Sequence, residues 1–107
     1  MPSIAIDTYQ VVIYSKRYNT SSNAAAIHMY NSSNTLVGSF YLNYDEGMAN
    51  RAPVISGSRV IAYYHMSMLD SLVDLLRNED TCYLFENVGS GLAYIATTKE
   101  EIGEEES

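Results

Sequence analysis

The sequence predicts an α+β fold of two layers, in which one amphipathic helix packs on one face of a curved antiparallel sheet. Only residues 67–78 show a clear helical period. Six other stretches are rich in β-branched and aromatic residues, and together they give the order β-β-β-β-α-β-β. Strands that follow one another pair readily into an antiparallel sheet, and one helix covers one of its faces. The second face of the predicted sheet is therefore left uncovered.

The predicted helix, residues 67–78, carries its apolar residues on one side. Ser67 and Asp70 form a variant of a capping box at its start, with a carboxylate near the positive end of the helix dipole. A helix of about three turns is not stable alone in water, so its apolar side must be buried against the sheet. The apolar positions follow the i, i+3, i+4, i+7 spacing of one helix face: Leu69, Leu72, Val73 and Leu76.

Three strands are predicted in the first half of the chain, at residues 9–16, 24–30 and 35–44. The first and third are rich in residues that favour strands. The second begins with three alanines that favour a helix, but clusters of Ser and Asn bracket it so tightly that we predict a strand. The cluster at 31–34 is typical of a hairpin turn, because Asn tolerates positive φ and Ser bonds back to the backbone. Gly38 interrupts the third strand and indicates a bulge or a bend there.

A long loop at residues 45–58 precedes the fourth predicted strand, residues 59–65. Val54 and Ile55 are expected to attach the middle of this loop to the sheet. Long loops in compact domains are disproportionately functional. After the helix, residues 81–86 and 92–97 form a hairpin, with glycines in its turn.

Length and charge predict one domain with an acidic tail. Residues 1–98 are enough for a single core. Residues 99–107 contain five Glu and one Lys, which is −4 of the formal net charge of −7. This composition predicts a solvated, disordered tail. The acidic balance argues against strong non-specific DNA binding, which needs a basic face.

Several features predict a cytoplasmic protein. Cys82 is the only cysteine, so an intrachain disulfide is impossible. The first residues show no secretory-signal pattern, and no apolar run is long enough to span a bilayer. We therefore expect a reducing compartment and no membrane partner.

The uncovered face of the sheet is the predicted functional surface. Alternation places on it Val12, Tyr14, Lys16, His28, Tyr30, Val37, Tyr41 and either Tyr63 or Tyr64. An exposed apolar and aromatic patch of this kind usually marks an interaction surface. Ordinary sheet packing is the alternative interpretation, because Tyr and Val are common strand formers and cross-strand Tyr pairs stabilise a sheet by themselves.

The sequence therefore predicts a small non-enzymatic interaction module that forms a homodimer and binds a macromolecular partner. Symmetric homodimers are the commonest oligomers. Single-stranded nucleic acid is the alternative partner, since bases stack on aromatic side chains and cations contact phosphates, but basic residues are few. The candidate partner-binding residues are Tyr14, Lys16, Arg17, His28, Tyr30, Tyr41, Arg51 and Arg59.

A second alternative is a small enzyme or ligand-binding domain that uses the loop at 45–58. A catalytic thiol would require Cys82 beside His28 or His65, but an isolated cysteine in an apolar strand is usually a small buried hydrophobe. Asp45 and Glu46 are more typical of a turn than of acid–base chemistry. The spacing of these residues matches no known metal site, so we expect no catalytic residues, metal or cofactor.

Overall fold

The computed structural model describes residues 3–15, 23–77 and 81–97. Within them, eight strands form two sheets, two α-helices flank the sheets, and the predicted α+β class is confirmed. The elements are β1 Ser3–Ile6, β2 Thr8–Ile13, β3 Ala25–Tyr30, β4 Leu36–Asn43, α1 Glu46–Ala49, β5 Val54–Ser56, β6 Arg59–His65, α2 Leu69–Arg77, β7 Cys82–Asn87 and β8 Leu92–Thr97. Short 3₁₀ turns at Met66–Met68 and Val88–Ser90 precede α2 and β8.

The strands are divided between a five-stranded sheet of order β2-β3-β4-β6-β5 and a three-stranded sheet of order β1-β7-β8. Only Asp7 separates β1 from β2, so the chain passes from one sheet to the other within a single residue. All pairs are antiparallel except β4 and β6, which are parallel. A crossover containing α1 and β5 joins these two strands, because parallel neighbours cannot be joined by a tight hairpin.

This topology differs from the predicted strand order in three respects. The two strands β1 and β5 are additional, the sheet is divided in two, and one strand pair is parallel. Val54 and Ile55 do attach the loop to the sheet, since β5 pairs with β6. The irregularity expected at Gly38 lies one residue away: Met29 and Tyr30 pair with Gly38 and Leu36, which leaves Val37 unpaired.

The core lies between the two sheets and α2. We call the side of the five-stranded sheet that faces the core its inner face, and the opposite side its outer face. The helix prediction is confirmed over Leu69–Arg77, whereas Asn78 lies outside the described residues. The tail at 99–107 lies outside them as well. The buried core residues are Ile6, Ala25, Ile27, Met29, Phe40, Leu42, Val60, Ala62, Leu72, Leu76, Cys82, Leu84 and Ile95.

Candidate interaction surface

The outer face is built from alternate residues of four neighbouring strands. Because side chains alternate along a strand, residues that are opposite each other in register share a face. The register aligns Ala26, Tyr41 and Tyr63 in one row, and His28, Ser39 and Ile61 in the next. Tyr63 therefore belongs to the outer face. Tyr64 belongs to the inner face, where its ring packs 4.8 Å from that of Phe40.

A continuous row of rings crosses this face. The ring of Tyr41 lies 6.2 Å from His28 in an edge-to-face arrangement, and 6.2 Å from Tyr63 at a tilt of 31°. The guanidinium of Arg51 lies 4.9 Å from the centroid of the Tyr63 ring. This is the distance of a cation–π contact, which also favours one rotamer of the arginine. We call Arg51, Tyr63, Tyr41 and His28 the ring row.

The crossover between β4 and β6 places Arg51 on the ring row. Asn43 is 1% exposed, and its Oδ1 accepts a hydrogen bond from the backbone N–H of Asp45 at 2.7 Å. Asp45 in turn caps α1, since its Oδ1 accepts from the N–H of Met48 at 3.1 Å. Two successive hydrogen bonds from backbone N–H groups to side-chain oxygens thus fix the direction in which the chain leaves β4. The segment after α1 then passes over Tyr63.

A polar contact with Ser39 orients His28 at the end of the row. Its Nδ1 lies 2.8 Å from Oγ of Ser39, which is fully buried. Burial, and secondarily the positive charge of Arg59, lower the pKa of His28 from its ordinary value of 6.5. The imidazole is therefore mainly neutral at pH 7. The permanent positive charges of this surface come from Arg51 and Arg59.

The ring row is half-buried rather than fully exposed. The centre of the outer face is inaccessible to solvent, because Ala26 and Ser39 are both 0% exposed. The rings of His28, Tyr41 and Tyr63 pack on one another and keep intermediate exposure, whereas Arg51 is exposed. The outer face thus combines internal sheet packing with an accessible aromatic and cationic surface.

The structure brings together four of the eight candidate binding residues: His28, Tyr41, Arg51 and Arg59. Tyr30 lies on the same face in the row beyond His28. Tyr14 lies past the end of β2 and is 44% exposed. Lys16 and Arg17 lie outside the described residues.

Sequence reasoning missed a second aromatic cluster, on the outer side of the three-stranded sheet. The rings of Phe85 and Tyr94 stack at 5.1 Å with 16° between their planes, and Tyr83 lies 6.4 Å from Phe85. The signal was present in the alternation of β7, where Tyr83 and Phe85 alternate with the buried Cys82 and Leu84. Tyrosines of this second cluster can serve as control positions for substitutions in the ring row.

The residues weighed for catalysis have structural roles. Cys82 is buried, its thiol donates to the carbonyl of Leu75 at 3.3 Å, and burial raises its pKa. Nδ1 of His65 accepts from the N–H of Ser67 at the start of the 3₁₀ turn. Among residues 3–15, 23–77 and 81–97, no group of three or more His, Cys, Asp or Glu could hold a metal ion.

The described part of the chain contains no helix that is both long and apolar enough to cross a membrane. No protein-family model, curated protein or solved structure matches the chain significantly.

Proposed function

We propose that this protein is a small, non-enzymatic interaction module that self-associates and binds a macromolecular partner through the outer face of its five-stranded sheet. The ring row is the observation that carries the proposal. Tyr and Arg are the residue types that most often dominate binding energy at protein interfaces. Rings that already pack on one another lose little conformational freedom on binding, which favours affinity.

The form of the surface supports a macromolecular rather than a small-molecule ligand. The ring row crosses neighbouring strands of a sheet, so it is broad rather than enclosed. A shallow groove of about 270 Å³ lies beside β1, where it is lined by residues that include Asn31 and Thr81. None of the residues that line this groove belongs to the ring row.

Selection from a random peptide library displayed on phage tests the proposal. We expect enriched peptides to bind the wild-type protein and to lose at least about tenfold in affinity for the variants Tyr41→Ser and Arg51→Ser. Tyr94→Ser is the matched control, because Tyr94 is also a half-buried strand tyrosine with a ring contact. Equal affinity for all three variants would contradict the proposed surface.

Single-stranded nucleic acid is the second candidate partner, and a specific observation favours it. Arg51 places a positive charge on the ring of Tyr63, and Arg59 adds a second charge at the start of β6, on the same face by alternation with Tyr63. Bases could stack on the rings of this face while the two cations contact phosphates. Fluorescence anisotropy of labelled oligonucleotides at low salt is the test. Binding that Arg51→Ser and Arg59→Gln weaken would establish this function, and an unchanged anisotropy would exclude it.

Self-association and a cytoplasmic location are part of the proposal. The free, buried thiol of Cys82 is compatible with a reducing compartment. Light scattering of the native chain at micromolar concentration tests the first point. We expect twice the mass of one chain, and a constant monomer mass would contradict self-association.

A further inference from the structure

The edge strands of both sheets lack two of the features by which proteins protect an open edge, namely charged residues and proline. The four edge strands are β1, β2, β5 and β8, and none of them contains a charged residue or a proline. An edge strand presents unpaired N–H and C=O groups, and monomeric proteins usually protect it with charges or proline. In a chain of net charge −7, these strands are where a second copy can approach without placing two carboxylates in contact.

Among the four edges, β2 is the best suited to pair with another strand. β5 has three residues and β1 has four, whereas β2 and β8 have six. The hydroxyl of Tyr64 donates to the carbonyl of Ala93 at 3.4 Å, so one acceptor of β8 already has a partner. β2 forms its ladder with β3 on one side and has no other strand neighbour in the described structure.

The backbone of β2 presents a regular set of groups at its open edge. The N–H of Tyr14 donates to the carbonyl of Ala24 at 2.9 Å, in the register of the β2–β3 ladder. Even-numbered residues therefore bond to β3. Because the direction of bonding alternates along an antiparallel strand, Tyr9, Val11 and Ile13 direct their N–H and C=O groups to the open edge.

β2 carries one exposed apolar side chain beside two that pack on the core. Tyr9 and Val11 pack against the core from the inner face. Ile13 lies on the same face but is 67% exposed, the highest value among the large exposed hydrophobic residues. A side chain supplied from outside the chain could cover it.

We propose that a second copy of the chain pairs with β2 through its own β2, antiparallel and about a two-fold axis at Val11. In this register Val11 lies opposite the partner's Val11, and Ile13 lies opposite the partner's Tyr9. Each copy's Tyr9 then covers the exposed Ile13 of the other copy. The inference rests on the self-association in the proposed function and identifies its interface.

Two requirements limit the possible registers, and the side chains that face each other decide among those that remain. Residues that are opposite each other must share a face, and the outward-directed groups of odd-numbered residues must meet. A register centred on Val12 also satisfies both, but it places Tyr9 opposite the partner's Ser15, so that Tyr9 meets no apolar side chain. A register centred on Gln10 satisfies both as well, but it places Ile13 opposite the partner's Asp7, where an isoleucine would desolvate a carboxylate. The register at Val11 avoids both contacts and joins two five-stranded sheets edge to edge, with their outer faces on one side.

The proposed β2 interface is tested by measuring the native mass of two variants that each introduce a glutamate on an edge strand. We expect Ile13→Glu to raise the dimer dissociation constant at least about tenfold, because two carboxylates would enter an uncharged contact. Ile55→Glu is the matched control, since Ile55 is an isoleucine on another edge strand and is 51% exposed. It should leave the dissociation constant unchanged.

Oxidative cross-linking tests the register in a Cys82→Ala background. Val11→Cys should form a disulfide-linked dimer, because the two Cα atoms would be about 5.5 Å apart. Ile13→Cys should not, because the two copies of this position would be offset by four residues, roughly 13 Å along the strand.

The outcomes separate this inference from the proposed function. A dimer that resists Ile13→Glu, or that Ile55→Glu weakens equally, overturns the β2 interface and leaves the outer-face proposal in place. Cross-linking through Ile13→Cys but not Val11→Cys overturns the register. A monomeric wild-type chain overturns the interface and self-association together, whereas peptide binding that depends on Tyr41 would still support the outer face.

Discussion

Gly38 lies in β4, where the side chain of Leu84 from the three-stranded sheet packs against it. A Cβ atom at this position would lie 2.6 Å from Cδ2 of Leu84 and 3.1 Å from Cε of Met29. Both side chains are fully buried, so they have little room to move. We expect Gly38→Ala to lower the free energy of unfolding by about 1–3 kcal/mol, as overpacked core substitutions do.

Urea denaturation measures this effect, and Gly89→Ala is its control. A Cβ atom at Gly89 would have its nearest neighbour at 3.6 Å, which is an ordinary contact. Its free energy of unfolding should change by less than about 0.5 kcal/mol. A similar decrease in the free energy of unfolding of both variants would show that the close contact of Gly38 with Leu84 is not the cause.

His28 should make stability depend on pH. Its pKa is lowered in the folded chain, first by burial and then by Arg59. Below about 6.5 the unfolded chain binds a proton that the folded chain does not. The stability contributed by the neutral imidazole is thus complete above 6.5 and decreases as the pH falls toward the lower pKa of the folded state.

Urea midpoints at about pH 7.5 and about pH 5.5 measure this dependence. The decrease at the lower pH should be larger for the wild type than for His28→Gln. Titration of the His28 ring by NMR should also show that Arg59→Gln raises its pKa. A wild-type pKa at or above 6.5 would contradict the assignment.

Alternation along the strands predicted much of the outer face, but it could not place every residue. Alternation in β6 favours Tyr63 over Tyr64 on the outer face, because Tyr63 has the same parity as Arg59, whereas Tyr64 has that of the apolar Val60. Arg51 was named as a candidate on its charge alone. Its contact with Tyr63 depends on the path of the crossover, which no local pattern determines.

At the scale of elements, α2 was predictable because its apolar residues follow a single period. Leu72 and Leu76 are buried, and Leu69, Val73 and Leu75 are partly buried against the core. The start of the helix differs from the prediction, because His65 rather than Ser67 caps the preceding 3₁₀ turn. A short-range pattern therefore located the helix but not its cap.

Leu72→Ala should lower the free energy of unfolding by about 2–5 kcal/mol, because it removes buried contacts and leaves a cavity. Asp74→Ala is the matched control on the exposed side of α2, where Asp74 pairs with Arg77. An exposed pair of this kind contributes about 0–1 kcal/mol. Denaturant titration of both variants checks the difference, and equal losses would show that α2 does not anchor the core.

The strand partners were not predictable from local sequence. The sequence alone gives no sign that β1, only four residues long, pairs with β7 from the other end of the chain. Along the chain β5 follows β4, and a hairpin at Gly57, with φ of +64°, then reverses the direction into β6. β6 therefore runs parallel to β4 and lies between β4 and β5 in the sheet. A two-residue period identifies a strand, but it carries no information about which strand lies beside it.

At the scale of the whole molecule, the strands of both sheets contain very few charged residues. Arg59 and Glu86 are the only Asp, Glu, Lys or Arg residues within the described strands. The other charged residues of the described ranges lie in the helices or between elements: Asp7, Asp45, Glu46, Arg51, Asp70, Asp74 and Arg77. Copies of the chain therefore repel one another at long range, although their strand edges are uncharged.

This distribution of charge predicts opposite effects of salt on the two proposed interactions. Raising NaCl from about 50 mM to about 500 mM shortens the Debye length roughly threefold and screens the repulsion between two chains of charge −7. The dimer should therefore become tighter. Oligonucleotide binding through Arg51 and Arg59 should weaken, because each counterion that is released from the phosphates gains less free energy when the salt concentration is high. Sedimentation equilibrium and fluorescence anisotropy on the same preparations measure both. A dimer that dissociates as salt rises would depend on ion pairs, which the uncharged β2 edge does not supply.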